Sequence, residues 1–128
     1  SLCDWSSDVC SSDLASCTEC STQYTFMLDW MLQRDPTSRV SMYSYQEDGV
    51  ISGFLDMTGP AYQRLLLDTT AEVQARHPKR LQRYFPFGRG HTILMSSRFY
   101  SLATNGVPID GWTRDFLDGN DGWIDVVE

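Results

Sequence analysis

Two periods organise the hydrophobic and polar positions of this chain, and they alternate along it. Between Thr22 and Arg34, Tyr24, Met27, Leu28, Met31 and Leu32 recur at spacings of three and four, which predicts a core-packing helix. Ser21 or Thr22 can cap its start, and Asp35-Pro36 ends it. From Arg39 to Tyr45 the period falls to two. Val40, Met42 and Ser44 alternate with Ser41, Tyr43 and Tyr45, and this mix of small, β-branched and aromatic residues suits a strand covered on both faces. Val50 to Met57 predicts a short helix, stopped by Thr58-Gly59-Pro60. Pro60 opens the clearest helix, because a missing N–H costs nothing in a first turn. Its stripe is Leu65, Leu66, Thr69, Val73 and Arg76, and His77-Pro78 closes it. Leu81 to Phe87 returns to strand, with Gln82, Tyr84 and Pro86 on one side and Leu81, Arg83, Phe85 and Phe87 on the other. Pro86 fits only the end of such a strand.

After that strand Gly88-Arg89-Gly90 permits unusual dihedrals before His91. Thr92 to Leu102 is a mixed apolar segment, and Asn105-Gly106 is a turn. Asp110 or Thr113 can cap a helix through Phe116-Leu117, which the run from Asp118 to Gly122 ends, and Trp123 to Val127 forms an apolar tail. Helix, strand, helix, strand, helix is the α/β pattern, and the long connection between the strands predicts a parallel pair. Two parallel strands are too few for a complete domain. The expectation is therefore an incomplete C-terminal part of a parallel sheet with flanking helices.

Ser1 to Leu14 carries neither period. Its run from Asp4 resembles the in-frame translation of a sequencing-library adapter and is set aside as artefact, the alternative being a Ser-rich, acidic, disordered leader. That divides the chain into a leader, 1–14, and a fragment of a larger domain, 15–128, whose beginning is expected upstream. It also removes Cys3 and Cys10 and leaves Cys17-Thr18-Glu19-Cys20 as the credible cysteines. One such pair is half of a structural zinc site, and neither histidine has ligand spacing to it. Two ordinary cysteines or a local disulfide is the plainer reading; a redox or metal role is the other.

Hydrophobic content of 41% and aromatic content of 12% describe a globular chain. A net charge of −7 argues against nucleic acid as a partner, since no basic stripe is present to displace counterions. The cluster Arg76-His77-Pro78-Lys79-Arg80 reads as a helix end and a solvated turn, which also gives His77 a surface role. No apolar run reaches the roughly 18 residues of a bilayer span, so no membrane association is expected. No basic segment followed by an apolar stretch marks a secretory signal at the amino end.

The chemistry lies at the two strand exits. Gln46-Glu47-Asp48-Gly49 places acids after the first strand, and the Gly-Arg-Gly-His loop places an imidazole after the second. An acid and a later histidine, each after a strand, form the second half of a Ser…Asp…His order. The carboxylate would fix the imidazole tautomer, and the other ring nitrogen would take and return the nucleophile's proton. Asp48 is preferred to Glu47 as the acid, because a short side chain followed by glycine suits a sharp exit. Spacing alone is equally consistent with a loop Asp and a loop His that have no joint role.

Ser44-Tyr45-Gln46-Glu47-Asp48-Gly49-Val50-Ile51, Gly88-Arg89-Gly90-His91-Thr92-Ile93-Leu94 and Gly111-Trp112-Thr113-Arg114-Asp115-Phe116-Leu117 carry a resemblance. From Tyr24 onward the chain resembles the C-terminal portion of the pectin acetylesterase family, serine esterases of the α/β-hydrolase fold. The first segment is similar to that around the family's catalytic Asp and the second to that around its catalytic His. The third is similar to the closing tryptophan-containing helix of bacterial members. The resemblance implies ester hydrolysis through an acyl-serine, no cofactor, an acylated small molecule or polysaccharide as substrate, and export from the cell. The departure is that no Gly-x-Ser-x-Gly occurs in the sequence, and Ser52 and Ser96 sit in no nucleophile elbow. The expectation is an acid and base, Asp48 and His91, whose serine lies upstream, and a chain inactive by itself. Two other classes compete. One is a non-catalytic acidic module binding through exposed aromatics such as Trp112 and Trp123 with no cleft at His91. The other is a thiol redox or metal protein using Cys17 and Cys20.

Overall fold

A computed structural model describes residues 16–128; the leader assigned to 1–14 lies outside the described residues. The chain divides into two compact units, Ser1–Ser38 and Arg39–Glu128.

In the first unit, turns spanning 16–22 lead into helix α1, Tyr24–Arg34. Neither Ser21 nor Thr22 caps it: Gln23 holds the N-cap position with no side-chain bond, and the Thr22 hydroxyl donates to Glu19 O instead. The buried face is also rotated from the predicted stripe. Thr25, Asp29 and Leu32 are buried, whereas Tyr24 and Met27 are exposed. Spacing could not separate these faces, because both repeat at three and four.

The second unit is a mixed α/β arrangement. Strand β1, Val40–Tyr43, leads to the short helix α2, Gly49–Phe54, and to the long helix α3, Gly59–Arg76. Strand β2, Leu81–Phe85, follows, and its five residues are all buried. Thr58 caps α3 by accepting from Ala61 N, and proline stands in the first turn. The buried face of α3 is Tyr62, Leu66, Thr70 and Val73; Leu65, predicted on the stripe, is exposed. After β2 come a 3-10 turn at Ser97–Tyr100, a two-residue hairpin of β3 (Ala103–Thr104) and β4 (Val107–Pro108), helix α4 (Ile109–Asp118) and strand β5 (Val126–Val127). Asn105 and Gly106 both take positive φ, 51° and 77°, which is the twist a two-residue hairpin requires. Neither Asp110 nor Thr113 caps α4, which begins directly after Pro108 and ends on left-handed Gly119.

The sheet has three strands in the order β1-β2-β5, all parallel, so the predicted pair gains a third member from the apolar tail. Neighbouring residues on each strand enter opposite cores. Tyr43, Tyr84 and Val126 pack with Ile93, Ile109, Trp112 and Trp123 on one face. Met42, Phe85 and Val127 pack with Tyr62, Leu66 and Ile51 on the other. Both faces are covered, as parallel sheets require. Arg83 fastens β5 to β2: Asp125 accepts from its backbone N–H, Nε and Nη2 at 2.8, 3.0 and 2.6 Å. No helix among the described residues is long and apolar enough to cross a membrane.

Candidate active site

Adjacent parallel strands deliver their exits to the same end of the sheet, where open α/β sheets carry their sites. Here the pairing continues past the strands. Gln46 N donates to Pro86 O, Glu47 N to Gly88 O and Gly49 N to Arg89 O, at 3.0, 3.0 and 3.1 Å. The two exit loops are thereby held together, and Gly88 takes φ +135°, open to glycine and strained for other residues.

Asp48 and His91 face each other across this seam. His91 Nδ1 lies 2.9 Å from Asp48 Oδ2 and 3.2 Å from Oδ1. Asp48 is also the N-cap of α2, and its Oδ1 accepts from Val50 N at 3.0 Å and Ile51 N at 2.9 Å. The acid is 2% exposed, so these donors replace the water it has lost. A carboxylate only accepts, so Nδ1–H donates to it, and in the neutral ring Nε2 is the nitrogen with the lone pair. The His91 side chain is 41% exposed, so the free nitrogen belongs to an accessible ring.

His91 also lines a cleft of about 600 Å³, with Tyr43, Ile93, Trp112, Phe116 and Ser41 among its walls. Leu94 and Met95 are exposed beside it. The Tyr43 hydroxyl is buried without a hydrogen-bond partner, and burial, reinforced by Tyr45, pushes its phenol up. A mostly apolar cleft with one imidazole at its wall can hold an apolar group while a base reaches an attached polar one.

The other predicted residues fall elsewhere. Glu47 does not face His91: it packs over Gly59, where a Cβ would meet Glu47 Oε2 at 2.9 Å. Ser52 is buried within α2. Ser96 caps the 3-10 turn, its hydroxyl accepting from Arg98 N. No serine bonds to His91 among the described residues. His77 stands in the turn after α3, its Nδ1 3.2 Å from Arg80 Nη2.

The aromatics assigned to an exposed binding surface are a correction. Trp112 and Trp123 are 3% and 6% exposed. Each ring packs in the core while its N–H donates, Trp112 to Ile124 O and Trp123 to Ser41 Oγ. Cys17 and Cys20 form a local disulfide. No group of three or more metal-ligating side chains occurs among the described residues.

One site residue escaped the sequence reading. Gln46 is buried, donates to Phe85 O and Glu128 O, and accepts from Gln63 Nε2. It ties the acid's loop to both β2 and β5. A single glutamine in a polar loop carries no periodic signal that could have marked it. Comparisons of the chain with protein-family models, with curated proteins and with solved structures find no match.

Proposed function

We propose that Asp48 and His91 are the acid and base of a Ser–Asp–His ester hydrolase, as the resemblance to pectin acetylesterases implies, and that the nucleophilic serine comes from residues upstream of this sequence. One observation carries the reading: a buried carboxylate holds Nδ1 of an accessible imidazole at the ends of adjacent parallel strands, on the wall of a cleft. In that reading Asp48 keeps the proton on Nδ1 and stabilises the imidazolium that forms. Nε2 of His91 takes the serine proton as the ester carbonyl is attacked, then passes it to the leaving alkoxide. The acyl-serine is hydrolysed by the same base acting on water. The sheet would then be the C-terminal part of an α/β-hydrolase sheet, and the substrate an acylated small molecule or polysaccharide.

The chain by itself is expected not to turn over, since loss of a nucleophile costs about a millionfold in related triads. The test is recovery of the upstream reading frame. A restored protein carrying Gly-x-Ser-x-Gly should hydrolyse a generic acetyl ester, and His91→Ala should abolish that. Retained hydrolysis in the His91→Ala protein would refute the assignment.

A further inference from the structure

The contact between Asp48 and His91 needs an explanation that the two residues do not supply. Asp48 is fixed by its cap bonds, but His91 sits on a loop with two glycines and is itself largely open to solvent. The bonds from Glu47 N to Gly88 O and from Gly49 N to Arg89 O join that loop to the acid's loop; what remains to be set is the height of Gly90 and His91 above Asp48. The Tyr45 ring lies directly beneath it. A Cβ on Gly90 would fall 2.6 Å from Tyr45 Cδ2 and 2.9 Å from Cζ, and one on Gly88 would fall 3.2 Å from Cδ1. Both glycines therefore lie against one aromatic ring, Gly90 toward its Cδ2 side and Gly88 toward its Cδ1 side. Tyr45 is 4% exposed, and Tyr43 stands edge-on to it, ring centroids 5.8 Å apart. The Arg98 guanidinium carbon lies 5.9 Å from its centroid. The ring cannot swing aside without displacing these neighbours. It also belongs to the acid's loop, because Tyr45 O accepts from Asp48 N at 3.2 Å.

We propose that Tyr45 is the positioning residue for His91: its ring is the platform that sets the height of Gly88-Arg89-Gly90 and so keeps Nδ1 within reach of Asp48. The ring does this rather than the hydroxyl, since the atoms that Gly88 and Gly90 approach are ring carbons. Glycine is required at 90 because only a residue without Cβ lets the loop backbone lie this close to the ring. What the positioning achieves rests on the reading of His91 as a base.

The test uses the 128-residue chain and needs no turnover. Ring-nitrogen NMR shifts report which imidazole nitrogen carries the proton when the ring is neutral. The Nδ1–H form should dominate in the parent and in Tyr45→Phe. It should give way to Nε2–H in Tyr45→Ala and in Gly90→Ala, while the tryptophan fluorescence and circular dichroism of the folded chain persist. Retention of Nδ1–H in folded Tyr45→Ala or Gly90→Ala overturns the proposal. So does its loss in Tyr45→Phe. If Tyr45→Ala does not fold, Gly90→Ala decides alone, because it leaves Tyr45 in place and alters only the spacing. Overturning Tyr45 would leave the hydrolase reading standing, whereas a restored enzyme without esterase activity would sink that reading and not this one.

Discussion

Asp48 does two jobs with separate oxygens, and two substitutions can separate them. Oδ1 caps α2 through Val50 N and Ile51 N, and Oδ2 makes the shorter contact to His91 Nδ1. Asp48→Ala removes both. Loss of the cap costs about 1 kcal/mol, and loss of a bond to the imidazole about 1 more. The sum, about 2 kcal/mol, lowers the melting temperature of a domain this size by roughly 10 °C. Asp48→Asn should behave differently, because asparagine caps as well as aspartate. Its single oxygen stays with the two backbone donors, so its NH2 must turn toward Nδ1. Two donors cannot face each other, and the ring proton must move to Nε2. Asp48→Asn should therefore melt within about 0.5 kcal/mol of the parent yet carry the opposite tautomer. Thermal unfolding followed by circular dichroism and ring-nitrogen NMR measure the two quantities independently. Under the hydrolase proposal, the same swap in a restored full-length protein should cost about 10⁴-fold in turnover. Equal melting of the Asn and Ala variants would refute the cap assignment. A retained Nδ1–H tautomer in Asp48→Asn would refute the orienting role.

Three further outcomes follow from other parts of the molecule. Asp125→Ala leaves the Arg83 guanidinium, its side chain only 11% exposed, with the Thr70 hydroxyl but no countercharge; removing one partner of such a pair costs about 3 kcal/mol after allowance for the partial exposure of Asp125, and hydrogen exchange should show β5 opening first. Hydrogen bonds from Thr37 and Ser38 hold the Asp35 carboxyl down at about 2. A lowered folded value means its contribution is present above the ordinary 3.8 and lost as pH falls through about 2; the Thr37 amide resonance should titrate with that low midpoint, and a midpoint near 3.8 would contradict the bonds. Burial raises the phenols of Tyr43, Tyr62 and Tyr84 above the ordinary 10.0, so stability is intact below pH 10.0 and declines as pH rises past it. Phenolate absorbance should therefore show Tyr43, Tyr62 and Tyr84 still neutral above pH 10.0 while the fold persists, and their ionisation before unfolding would be the contrary result.

Much of this architecture was legible because it rests on short-range chemistry. The period-two runs marked β1 and β2, and Pro60, Gly88 and Asn105-Gly106 marked starts and turns that the backbone uses. The acid and the histidine were legible as strand exits. What sequence could not give was which helical face is inside. On α1 and α3 the chosen faces carry Thr25, Asp29 and Thr70 beside the aliphatic residues, so a stripe drawn through apolar residues alone is rotated. Thr70 is buried because its hydroxyl donates back to Leu66 O, a local bond invisible to periodicity. The third strand was missed for a different reason. Val126 and Val127 are too few to show any period, and they pair only because Arg83 and Gln46, far away in sequence, offer Asp125 and Glu128 their partners.

The same long-range bonds explain how a solvent-open histidine can belong to a rigid site. Folding the acid's loop requires burying Asp48 and Gln46: two backbone amides hold Oδ1 of the one, and two carbonyls and Gln63 hold the other, so that among these groups only Asp48 Oδ2 relies on His91. The carboxylate is thus fixed through Oδ1 independently of the imidazole, and its second oxygen is left aimed at the neighbouring strand exit. The ring then needs only the correct height, which the glycine loop takes from the surface beneath it. A site built in this way separates stability from reactivity. Nearly all of its bonds would survive deletion of the imidazole, so His91→Ala should keep the fold, at a cost of about 1 kcal/mol for the lost bond to Asp48, and remove only the ring.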